Sequence, residues 1–259
     1  MTDEDPPGTR SIRAELEMLR RTGFVVIPRF VPDQGLAQLN AAARAQLEAQ
    51  AQPLELEADL RYPGAPASQA AAGGLTVRRL LDAYARDPAF GRWAAVPAIR
   101  DWMGAYFGEE VMMSQAHHNC LMTKHPRYGS ETHWHRDIRY WSFERADLVS
   151  VWLALGEETR DNGGLRFVPG SHIMEFAAER FDSAKFFSAE HLDNRQLLST
   201  AISPRLAPGD AVFFHCNTLH SAGRNASNAV KFSLVYTYHG RSNTPTPGTR
   251  SASRSAIEL

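Results

Sequence analysis

The sequence predicts a mostly β protein with flanking helices: a jelly roll or double-stranded β-helix of cupin-like type, buttressed by N-terminal α-helices. Three observations carry this expectation. Apolar residues recur at helical spacing in the part of the chain before Val111. From Val111 onward, short apolar runs alternate with turn-forming clusters such as Asp161-Asn162-Gly163-Gly164 and Pro208-Gly209-Asp210, the pattern of antiparallel strands. The length of 259 residues suits one substantial core, since single β-sandwiches and barrels with added helices reach this size.

Taken in order, residues 1–10 read as disordered, and 11–240 as one domain with a helical part over 11–107 and a β part over 111–240. Ser11 is placed to cap a helix whose apolar positions are Ile12, Leu16 and Leu19. Gly23 stops that helix, and Phe24–Ile27 follows as a short strand ended by Pro28. Pro32-Asp33 opens a second helix to about Gln52. The Pro-, Gly- and Ala-rich stretch 53–74 reads as a surface loop, and two helices are expected over 77–86 and 88–107. Strands are expected over 111–123, 132–137, 148–155, 165–168, 211–216 and 230–238. A charged, partly helical insertion occupies 173–206, and residues 241–259, rich in Ser, Thr, Pro and Gly, read as a flexible tail.

Composition narrows the function. With 28 Lys plus Arg against 29 Asp plus Glu, the formal charge of −1 gives no electrostatic basis for binding nucleic acid or an anionic membrane. A small-molecule ligand is expected instead. The two cysteines, Cys120 and Cys216, lie in or beside apolar runs, so reduced, buried thiols in a cytoplasmic protein are expected. The acidic, Pro-containing start lacks the apolar core of a signal peptide, and no apolar run approaches the roughly 18 residues that span a bilayer.

Two segments carry the chemistry. His135 and Asp137 form a His-x-Asp pair, and His220 follows 83 residues after Asp137. This is the ligand order of the 2-His-1-carboxylate triad, which holds Fe(II) on one face and leaves the other open. A second His-x-Asp, His191-Leu192-Asp193, lies in a polar stretch without strand character and reads as an exposed segment. Alternation along 132–137 sets His133, His135 and Asp137 on one face, with His133 a support for the site, a substrate contact or a solvated residue. Along 231–238, alternation sets Lys231, Ser233, Val235 and Thr237 against Phe232, Leu234, Tyr236 and Tyr238. Lys231 is then either an edge-strand lysine or a clamp for a ligand carboxylate.

Gly23–Pro28, Trp134–Asp137, the string Asn162-Gly163-Gly164-Leu165-Arg166-Phe167-Val168-Pro169-Gly170-Ser171-His172 and His220–Ser227 together resemble the phytanoyl-CoA dioxygenase family. This branch of the Fe(II)/2-oxoglutarate oxygenases also includes ectoine hydroxylases, and the resemblance spans roughly Gly23 to Tyr238. It implies Fe(II) on His135, Asp137 and His220, with 2-oxoglutarate and O2 as co-substrates. It also implies a basic residue eleven positions past the distal histidine that binds the far carboxylate of 2-oxoglutarate. The family residue is typically Arg, and here it is Lys231, a point charge in place of a two-pronged donor, with Ser233 beside it. Asn119 and Lys124 resemble further co-substrate contacts, Arg224 and Arg241 are fallback anchors, and Trp152 stands where the family often has Trp. The Pro-Gly-Ser-His turn reads as structural, with His172 outside the ligand set. His133, Arg139, Trp141 and Arg166 are the substrate-facing candidates, with the insertion 173–206 as a lid. The expected activity is oxidation of a small molecule, by default hydroxylation, with release of succinate and CO2. The alternative is a cupin-like metal-binding protein or metalloenzyme without oxygenase activity.

Overall fold

Helix α1 (Ile12–Thr22) begins and ends on the expected residues: Ser11 Oγ accepts the Ala14 amide, and Gly23 closes the helix at φ 85° with its N–H on Leu19 O. A side chain at Gly23 would also collide with Thr218, whose Oγ1 lies 2.6 Å from the ideal Cβ position. The computed structural model describes residues 10–60 and 62–259. The disorder expected over residues 1–10 therefore falls, Arg10 apart, outside the described residues.

After β1 (Phe24–Ile27), helix α2 covers Asp33–Glu48 and stops short of the expected Gln52, consistent with the bias of a residue preceding Pro53 away from helical backbone. The next stretch departs further from expectation. Within the supposed loop lies β2 (Leu54–Leu56), and the supposed helix over 77–86 divides into β3 (Val77–Leu81) and the short α3 (Ala83–Arg86). Val77 and Leu80 are buried, and β3 pairs with both β2 and β4 (Val111–Lys124), so sheet pairing overrides local helical preference. The single helix expected over 88–107 is two, α4 (Pro88–Ala94) and α5 (Pro97–Phe107), separated ahead of Pro97, which cannot donate to a continuing helix.

The remaining strands are β5 (Thr132–His135), β6 (Val149–Ala154), β7 (Leu165–Phe167), β8 (Ala211–His215), β9 (His220–Ala222), β10 (Lys231–Gly240) and β11 (Ile257–Glu258). The 173–206 insertion holds helix α6 (Leu192–Leu198) among turns. Antiparallel pairing builds two sheets. The larger runs β1-β8-β6-β10-β4-β3-β2, with β11 also on β4, and the smaller runs β5-β9-β7. The alternation read along β10 holds. Phe232, Leu234, Tyr236 and Tyr238 join Leu16, Leu39, Trp93 and Trp102 in one core, and Val235 joins Trp152, Phe214, Leu165 and Phe167 in a second. Helices thus cover one face of the large sheet, and the small sheet faces the other.

Residues 241–259 form no flexible tail. Ile257 and Glu258 pair with Met113 and Met112 on β4, and Ser251 and Asn243 are buried. Ser251 Oγ bonds His117 Nε2 at 2.7 Å, and Asn243 accepts from the Arg145 amide while donating to the carbonyls of Arg145 and Asp147. The polar composition that reads as disorder supplies side-chain staples to backbone instead. Among the described residues, no helix is long and apolar enough to cross a membrane.

Candidate metal centre

His135 on β5 and His220 on β9 are direct cross-strand partners, their rings 4.2 Å apart. Each ring nitrogen Nδ1 meets a backbone carbonyl two residues earlier, His133 O at 2.8 Å and Thr218 O at 3.0 Å. A carbonyl can only accept, so both imidazoles donate through Nδ1 and keep the Nε2 lone pair free, the tautomer that metal binding requires. Both Nε2 atoms converge on Asp137 Oδ1, at 3.5 Å from His135 and 3.6 Å from His220. The expected strand over 132–137 ends at His135, and Asp137 opens a 3₁₀ turn to Tyr140. The carboxylate thus comes from a turn, with the Ile138 amide tied to Cys216 O.

The three ligand atoms lie within 4.8 Å of one another and all three residues are buried. Among the described residues Asp137 Oδ2 is buried without a hydrogen-bond partner, an anionic oxygen that a cation would satisfy. Burial alone would raise the Asp137 carboxyl, yet the neighbouring His118, His220 and His135 together hold it below the usual range. Burial, reinforced by His135, lowers His220 to about 4, leaving it neutral and ligand-ready near pH 7. This donor set fits Fe(II) with open positions on the cavity side.

His118 was not singled out by sequence. Between the pairs Tyr236↔Asn119 and Thr237↔Ser114, residues 115–118 of β4 have no partner on β10, and this bulge brings His118 Nδ1 to 3.5 Å from Asp137 Oδ2 and 3.2 Å from Ser150 Oγ. A two-histidine run inside a strand was the one signal available for it.

Lys231 is buried as part of an ion pair. Its Nζ lies 3.0 Å from Glu158 Oε2 and 3.0 Å from Ser233 Oγ, and 5.0 Å from the centre of the Trp152 ring. Glu158 also accepts from Trp152 Nε1 at 2.9 Å and from Ser233. Glu158 carries no signal in the sequence because its place is set by an isolated bridge to Leu206, a residue distant in the chain. Lys124 differs: its Nζ donates to two carbonyls, Ser130 O at 2.7 Å and Ala222 O at 3.3 Å, and it meets no carboxylate within 4.0 Å among the described residues. Burial pushes the Lys124 ammonium well below its ordinary value, with Arg78 and Lys231 adding to the shift. Gly163, at φ 79°, lies against Lys124 and Gly223, where a Cβ would come within 2.7 Å of Gly223 O. Lys124, Lys231, Trp152, Arg79, His118 and both histidine ligands line one cavity.

The other residues singled out in the sequence lie as follows. Asn119 points to the helical side, where Oδ1 accepts the Tyr84 amide at 2.8 Å and Nδ2 reaches Asp82, so it organises α3 and does not meet the cavity. Arg166 lies on the outer face of the small sheet, 3.4 Å from Glu131 and over the Trp134 ring, away from the triad. Trp141 is buried with Leu148 and Cys216 and backs His118 edge-on at 5.3 Å, a support and not a lining residue. Arg241 pairs with Glu110 and Glu258, and Arg224 holds Arg127 O, so neither fallback anchor reaches the cavity. His133 is exposed, edge-on to Phe186. His191 stands at the N-cap position of α6 without a side-chain cap bond, and among the described residues it joins no group of metal ligands, as expected. Ser171 proves the working part of the Pro-Gly-Ser-His turn: its hydroxyl donates to Val168 O and accepts the amide of Leu219, the residue before His220.

A buried His-x-Asp…His triad between the two sheets of a jelly roll is the ligand set and fold of the Fe(II)- and 2-oxoglutarate-dependent dioxygenases. The family model for phytanoyl-CoA dioxygenase (PhyH) matches residues 19–233, and the chain belongs to that family. A probable phytanoyl-CoA dioxygenase of Caenorhabditis elegans is 25% identical over 64% of this chain, which spans 55% of that protein's length. An ectoine dioxygenase of Sphingopyxis alaskensis is 26% identical over 86% of this chain and 74% of its own. The structure of EctD from the same organism, with 2-oxoglutarate and 5-hydroxyectoine, superposes at TM-score 0.73 with 21% identity, covering 96% of this chain and 86% of that one. The epimerase SnoN, with Fe3+, alpha-ketoglutarate and nogalamycin RO, superposes at 0.72 with 19% identity, covering 91% and 86%.

Proposed function

We propose that this chain is an Fe(II)/2-oxoglutarate-dependent dioxygenase that hydroxylates a small molecule with release of succinate and CO2. The convergence of two free Nε2 atoms on an orphaned, buried carboxylate beside a cavity with a cationic inner end carries this reading. His135, Asp137 and His220 would hold the metal. Bound there with its co-substrate, iron supplies the activation of O2 that oxidises both 2-oxoglutarate and substrate.

The protein's part is positioning. A lysine has three N–H donors, and Lys124 and Lys231 each use two on protein acceptors, which leaves one apiece. Two single donors then replace the fork of an arginine. Glu158 balances Lys231, while Lys124 meets no carboxylate among the described residues, so a terminal carboxylate bound at the inner end would supply its counter-ion. Leu165, Phe214 and Ala222 line the same cavity and exclude water from the co-substrate. The two buried, unpaired cysteines suit a reducing cytoplasm.

The test is anaerobic absorbance of the Fe(II)-loaded protein on addition of 2-oxoglutarate. A weak visible charge-transfer band, followed by slow succinate release in air without substrate, is the expected result. A protein that binds Fe(II) yet gives neither is a metal protein of another kind.

A further inference from the structure

Four cations other than Lys124 approach the site, and three of them have carboxylate partners: Arg78 with Glu57 at 3.2 Å, Arg79 with Glu55 at 3.4 Å and Lys231 with Glu158. Arg139 has none within 4.0 Å among the described residues. Among the described residues its Nε and Nη1 are buried without a hydrogen-bond partner, and Nη2 is used by the Tyr140 hydroxyl. The guanidinium lies between two rings, 3.7 Å from the centre of Phe186 and 4.2 Å from that of Tyr140. Tyr62 closes the cage, its hydroxyl 3.1 Å from that of Tyr140 and its ring 5.7 Å from Phe186.

This cage touches the metal centre. Phe186 and Tyr140 lie 6.1 and 6.3 Å from the His135 ring, and Arg139 shares a single 3₁₀ turn with the ligand Asp137. Packing alone uses only the faces of a guanidinium, and gives no reason to bury two donors at its edge without an acceptor, an arrangement that costs free energy until an acceptor arrives. The inner end of the cavity has Lys124 and Lys231 for the co-substrate, and Arg139 is not among the residues that line it. Resting on the proposed oxygenase reading, we infer that Arg139 is a substrate-binding residue. It receives the carboxylate of a small monoanionic substrate whose apolar body lies against Tyr62, Tyr140 and Phe186.

The test uses matched probes, 3-phenylpropanoate and cyclohexylacetate with their amides, and phenyl phosphate. Each is titrated by calorimetry into protein saturated with Mn(II) and 2-oxoglutarate. Wild type is expected to bind a carboxylate on the order of tenfold or more tighter than its amide. That preference is expected to fall to about one in Arg139→Met, with cooperative unfolding retained. Arg139→Gln, neutral and still able to stack, serves as a second variant should the first not fold. No preference in wild type, or the same preference in a folded variant, overturns the assignment. Tighter binding of phenyl phosphate than of the carboxylates makes the anion a phosphoryl group and overturns the carboxylate class. Binding of 2-oxoglutarate is measured separately. If it fails while the carboxylate preference stands, the oxygenase reading falls and the subsite survives; the converse removes the subsite alone.

Discussion

Lys231 Nζ lies 3.0 Å from Glu158 Oε2, and both side chains are buried. Truncating either leaves the other as an uncompensated interior charge, and Glu158→Ala also strands the Trp152 indole and the Ser233 hydroxyl. Lys231→Met and Glu158→Ala are each expected to lower stability by about 3–5 kcal/mol, and the double change by less than the sum. Urea unfolding of the four proteins of that cycle measures this. Additive losses would mean that the pair is not coupled.

Lys124 makes a cleaner probe of co-substrate binding, because no protein carboxylate depends on it. Lys124→Met is expected to raise the 2-oxoglutarate concentration needed for half-saturation on the order of tenfold to a hundredfold, with Mn(II) binding retained. Titration of the charge-transfer band reads the change. Unaltered half-saturation would leave the anchoring to Lys231.

Ser171 links the Pro-Gly-Ser-His turn to the strand that carries His220, bonding the Leu219 amide at 2.8 Å. Ser171→Ala leaves the buried Leu219 amide without its acceptor, while Val168 O keeps the Ser171 amide, and is expected to cost about 1–3 kcal/mol. Because the supports of a metal ligand set its orientation, Mn(II) affinity should fall roughly tenfold. Thermal unfolding and metal titration test the two effects, and an unchanged metal affinity would confine Ser171 to stability.

Two half-buried histidines outside the triad make the apoprotein acid-sensitive. Burial lowers His117 to about 3, with Arg250 and His118 contributing, and lowers His215 to about 4, with His172 and Arg136 contributing. In the unfolded chain both take up a proton near pH 6.5. Below that value the unfolded state binds protons that the native state refuses, so stability declines as pH falls from about 6.5 toward 4 and returns as pH rises. The urea midpoint in a chelating buffer is expected to follow that course, and a flat midpoint across this window would count against it.

Much of this architecture is legible in the sequence because it is local. A capped α1, the alternating β10 and the ordered motif string all rest on spacing within one element. What escapes is set by partners distant in sequence. Val77–Leu81 satisfies helical spacing but is claimed by β4, and Asn119 sits beyond a bulge that no spacing rule registers. His118 and Glu158 belong to the centre only because that bulge and a bridge to Leu206 deliver them, and the polar end of the chain looks loose until its hydrogen-bond acceptors are seen across the fold.

The direct opposition of His135 and His220 has a consequence for assembly of the protein. The small sheet is short, with β7 and β9 of three residues each and β5 of four, so few backbone pairs hold its alignment. Sliding β9 by one residue would replace His220 opposite His135 with a neighbour whose side chain faces the other way, and the ligand set would be lost. A divalent ion held between them would add its binding free energy to this alignment alone, so the register of the sheet and the affinity for metal are linked.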